Sequence, residues 1–88
     1  MAVYLVTFEL GREIHHAGLT AEIKKTSWTQ LTATTYAVDT TELAEELFSR
    51  LRLHTDNRDS LYVIALKMPY GGTGDRDVGY WLEEHLRW

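Results

Sequence analysis

The chain has 88 residues, no cysteine, and thirteen acidic against nine basic residues for a formal charge of −4. A chain of this length makes one domain, here residues 1–88, that buries only about two-thirds of the surface its unfolded form exposes; without cysteine, neither disulfides nor thiolate metal sites reinforce the core. Hydrophobic packing and self-association are the remaining sources of stability. The acidic balance has the wrong sign for wrapping nucleic acid by neutralising phosphates, so such a partner would have to meet a local basic patch.

Met1 to Val6 is apolar but lacks a basic leader and reaches Glu9 too soon for a signal segment or a membrane span, so it reads as a strand of a cytoplasmic protein. Tyr4, Val6, Phe8 and Leu10 alternate with Val3, Leu5, Thr7 and Glu9, and both faces begin apolar. That is the signature of a central strand covered on both sides, by helices on one and by a partner subunit on the other. Ile14, Ala17 and Ala21, with Leu19 and Ile23, predict a weakly amphipathic helix running to about Lys25. Trp28 to Asp39 is rich in Thr and aromatics and predicts a hairpin turning near Thr32 to Thr34.

Asp39 followed by Glu42 resembles a capping box, with Thr40 or Thr41 as the other candidate caps. Leu43, Leu47 and Leu51 with Ala44 and Phe48 then make a stripe at helical spacing. His54 to Asp59 is a polar turn, and Leu61 to Met68 is a nearly continuous apolar run that predicts the fourth strand. Pro69 to Gly74 interrupts it, after which Asp75 or Asp77 caps a final helix with Val78, Trp81, Leu82 and Leu86 on one face. The order β, α, β, β, α, β, α, with right-handed crossovers, predicts an α+β domain of the ferredoxin-like βαββαβ kind with an additional C-terminal helix.

With that order of elements, Tyr4-Leu5-Val6-Thr7-Phe8-Glu9-Leu10 near the start and Asp59-Ser60-Leu61-Tyr62-Val63-Ile64-Ala65-Leu66 near the end resemble the SinR family of small bacterial proteins. That family is in turn similar to the small CRISPR-associated endoribonucleases of the adaptation machinery, and its members often carry a terminal helix similar to Gly79-Tyr80-Trp81-Leu82-Glu83-Glu84-His85-Leu86. The resemblance implies a non-catalytic homodimer, part of a defence or toxin–antitoxin locus. In the CRISPR-associated relatives the opening strand ends in Tyr-Asp-(Ile/Leu), and two copies of its aspartate hold a divalent metal near a dimer axis. Glu9 is the matching position. It keeps a hard oxygen ligand suited to Mg²⁺ or Mn²⁺ but adds a methylene, which changes the distance between the two carboxylates.

Each candidate site residue also has a plain structural reading. Glu9 is either a metal-holding, catalytic carboxylate or a solvated acid at a strand end. His15 and His16 are adjacent, so on a helix they point about 100° apart and cannot chelate one ion together; they read as surface residues, or one of them, His15 being the first candidate, as a general acid or base beside Glu9. His54 and His85 read as surface residues. Gly71, Gly72 and Gly74 match no phosphate-binding pattern and read as a connector. Arg12, Lys24, Lys25, Arg50, Arg52 and Arg58 form either a solvated surface or a phosphate-binding band. Trp28, Tyr36, Tyr62, Tyr80, Trp81 and Trp88 serve packing, base stacking being the rarer use.

Overall fold

The computed structural model describes Met1–Trp88 and has seven elements. They are β1 (Ala2–Glu9), α1 (Ile14–Ile23), β2 (Ser27–Thr32), β3 (Thr35–Thr40), α2 (Ala44–Arg52), β4 (Ser60–Ala65) and α3 (Arg76–His85). The sheet is antiparallel in the order β2-β3-β1-β4, the ferredoxin-like arrangement that the element order predicts.

β1 is central because alternate residues are apolar on both of its faces. Tyr4, Val6 and Phe8 point to the inner face, where they pack with Tyr36 and Val38 of β3, Leu19 and Ile23 of α1, and Leu47 and Leu51 of α2. Val3, on the opposite outer face, packs with Ala37, Leu82 and Leu86. The chain's own last helix therefore covers this end of the outer face, a place the sequence assigns to a partner subunit. α3 docks because Val78, Trp81, Leu82 and Leu86 share one face, as predicted, and because Asp75 caps its start by accepting the Asp77 N–H at 2.9 Å.

Two local expectations are corrected. α1 buries Leu19, Thr20 and Ile23, whereas Ile14, Ala17 and Ala21 face solvent, so the core stripe is rotated from the predicted one. Asp39 does not cap α2. It lies in β3 opposite Val3, and α2 begins later, with the Leu43 N–H donating to Glu46 at 2.8 Å. Ladder pairing with β1 competes for the backbone of residues 35–40 and keeps it extended until Thr40. The predicted fourth strand is present as β4, ending at Ala65 rather than Met68; it is an edge strand, and its Tyr62 and Ile64 point to the outer face, where they stay exposed.

Candidate interaction face and carboxylate–histidine clusters

Strand alternation places Leu5, Thr7 and Glu9 of β1 beside Ile64, Tyr62 and Ser60 of β4, their respective ladder partners, on the outer face. Tyr62 is 62% exposed and Ile64 50%, the openness expected of apolar side chains without a cover. Toward α3 this surface continues into a groove of about 570 Å³ lined by Leu5, Leu31, Leu66, Tyr70, Val78 and Leu82 among others. Leu31 is the extra residue of a β-bulge between Gln30 and Thr32, which turns the end of β2.

Glu9 ends β1 and is exposed, lining a shallow depression of about 360 Å³ with Glu13, His16 and Thr34 among its other walls. No hydrogen bond or ion pair joins Glu9 to His15. His15, in the first turn of α1, instead reaches Asp59, its Nδ1 lying 3.0 Å from Oδ2, with Asp56 Oδ2 4.0 Å away. The Asp59 carboxylate also accepts the N–H groups of Gly11 at 2.6 Å and Asp56 at 2.8 Å. The backbone N–H groups of Asp56 and Gly11, followed by His15, hold its carboxyl below the usual range.

One donor atom from each of His15, Asp56 and Asp59 lies within 4.8 Å of the others, a spacing that brings metal ligands to mind. The carboxylate of Asp59 already receives two backbone N–H groups and faces the imidazole, so the cluster is satisfied as a staple between the α2–β4 turn and the start of α1. The spacing of Asp56 and Asp59 within a polar turn was its only trace in the sequence.

Three of the six basic residues of the candidate band are engaged within the domain. Arg50 bridges Glu42, at 3.0 and 2.9 Å, and Glu22, at 2.9 Å; Lys25 pairs with Glu22 at 2.9 Å; Lys24 lies over the ring of Trp28. Lys25 and then Arg50 lower the pKa of Glu22 to about 2, while Arg50 holds the Glu42 carboxyl below its usual range. The guanidinium is a tie between α1 and the start of α2, with its donors spent on the two carboxylates and on the Glu22 backbone carbonyl at 3.0 Å.

Two histidines read as surface residues are structural. His54 sits 3.5 Å from Glu22 and so close to Gly18 that a Cβ there would meet its Nδ1 at 3.2 Å. His85 stacks on Trp81 and reaches Asp39 across the outer face, Nδ1 to Oδ2, at 2.6 Å. The other oxygen of Asp39 is buried without a partner. Sequence reasoning missed this pair because its members are 46 residues apart and one was assigned to a helix cap.

The fold and the half-covered sheet define a small α+β domain of ferredoxin-like type. No family model matches the chain, and neither does any curated protein. Among solved structures, a hypothetical protein from Thermus thermophilus is similar in fold, with a TM-score of 0.70 and 17% identity over 84% of this chain and 92% of that one. No helix is long and apolar enough to cross a membrane.

Proposed function

We propose that this chain is a homodimeric, non-catalytic interaction module akin to the SinR family and the CRISPR-associated adaptation proteins that its sequence resembles. The observation that carries this reading is the uncovered outer face: Leu5, Tyr62 and Ile64 form an apolar surface next to α3, in a domain too small to leave such area unused without cost. The engagement of Arg50 and Lys25 by carboxylates and the net charge of −4 argue against a phosphate-binding function. Sedimentation equilibrium at micromolar concentration tests it. A mass twice the 10.2 kDa of one chain is expected, and a strict monomer defeats the proposal.

One observation favours a second reading, a metal-dependent endonuclease that hydrolyses RNA or DNA phosphodiesters. Glu9 is exposed at the end of β1 and follows Leu5 and Thr7 on the open face, so a dimer built across that face could bring two copies of the carboxylate together. Each chain supplies a single carboxylate there, and Mg²⁺ or Mn²⁺ would need water and substrate to complete its shell. Cleavage of labelled single-stranded RNA and duplex DNA that is present in the wild type and absent from an identically purified Glu9→Gln protein would establish it. Equal cutting by both, or by neither, would exclude it.

A further inference from the structure

We infer that two copies of this chain join edge to edge through β4, making one continuous eight-stranded sheet from the two four-stranded ones. This rests on the homodimer proposed above and specifies how it is built: the two outer faces do not stack on each other but meet side by side along one seam, where Tyr62 and Ile64 of each copy cover part of the other's.

The first argument is the backbone. In an antiparallel ladder, alternate residues exchange both hydrogen bonds with one neighbour and turn their N–H and C=O groups the other way. The Leu66 N–H donates to Val3 O at 2.9 Å, and the Phe8 N–H donates to Thr34 O at 3.0 Å. By register, Ser60, Tyr62 and Ile64 bond to β1, whereas Leu61, Val63 and Ala65 direct their backbone groups outward along an edge with no neighbouring strand. Edge strands are ordinarily guarded by charges, proline or bulges. β4 is Ser-Leu-Tyr-Val-Ile-Ala and has none of these, while the opposite edge, β2, is bulged and contacts α3.

The second argument is self-complementarity. A two-fold axis at Val63 sets that residue opposite its own copy, Leu61 opposite the partner's Ala65, and Tyr62 opposite the partner's Ile64 on the outer face. About six new backbone hydrogen bonds form, and the half-exposed Tyr62 and Ile64 become aromatic–β-branched cross-strand pairs.

The third argument comes from α2, on the other side of the sheet. α1 lies toward β2, with Lys24 over Trp28, and Arg50 turns toward α1 to reach Glu22, whereas α2 packs along β4. At about 100° per residue the flank of α2 away from α1, above the free edge, carries Glu45, Phe48 and Arg52. Arg52 lies over the partly exposed ring of Phe48. An antiparallel two-fold through the middle of α2 brings Glu45 opposite the partner's Arg52, and Arg52 opposite the partner's Glu45, so charge as well as backbone favours a second copy.

The test uses the full chain. Sedimentation compares wild type with Glu45→Arg, Arg52→Glu and the double reversal, all exposed positions whose fold is checked by circular dichroism. Each single reversal turns two attractive pairs repulsive and is expected to weaken the dimer about tenfold, with the double reversal restoring it. Amide exchange by NMR should show the Leu61, Val63 and Ala65 N–H groups protected at dimer-forming concentration and open on dilution. A dimer that ignores all the reversals and leaves those three amides open overturns edge pairing while the homodimer stands. A wild-type monomer overturns both.

Discussion

Replacing Arg50 with Met keeps most of the aliphatic stem and removes the charge that ties Glu22 to Glu42. The side chains of Arg50, Glu42 and Glu22 are only 26%, 26% and 12% exposed, so the two carboxylates left behind are poorly hydrated. Breaking a buried pair costs about 3–5 kcal/mol, and partial exposure here reduces that to about 2 kcal/mol. In a domain of this size such a loss lowers the melting temperature by roughly 10 °C. The dependence on pH gives a sharper check. The folded-state pKa of Glu22 is lowered from 4.5 to about 2, first by Lys25 and then by Arg50, and that of Glu42 is lowered first by Arg50. A lowered carboxyl pKa contributes stability that is complete above the unfolded value and disappears as pH falls through the folded one. The gap between wild type and Arg50→Met should therefore be widest above pH 4.5 and narrow toward about pH 2. Thermal unfolding followed by circular dichroism across that range measures it. A gap that stays constant with pH, or one smaller than about 0.5 kcal/mol at neutral pH, would refute the ion-pair account.

Leu82→Ala removes the centre of the α3 contact on Val3 and Ala37 and is expected to cost about 2–4 kcal/mol, read from urea unfolding. His85→Ala leaves Asp39 buried without its only side-chain partner and should speed amide exchange in α3 while that in α1 and α2 is unchanged; uniform acceleration would mean that α3 is not a separable layer. Asp59→Ala releases the N–H groups of Gly11 and Asp56 together, so limited proteolysis should shift to the segments around Gly11 and Asp56 to Asp59, whereas His15→Ala should leave those segments largely resistant.

The element order and the central place of β1 were legible in the sequence because the strand begins apolar on both faces, and the structure covers that end with α1 and α2 on the inner face and with α3 on the outer one. The docking face of α3 was legible for a similar reason: four large apolar residues at helical spacing have to be buried. α1 was not, since its apolar residues are spread around the helix and only the position of the sheet decides that Leu19 and Ile23 turn inward. Nor was the role of Asp39, whose side chain suits a helix cap until β1 claims its backbone. The pairings His85 with Asp39, His15 with Asp59 and Arg50 with Glu22 join residues 46, 44 and 28 positions apart. Periodicity reports which face a residue occupies on its own element. Which charge meets which depends on how the elements stack, and that is settled only when the sheet, the two inner helices and α3 close over one another.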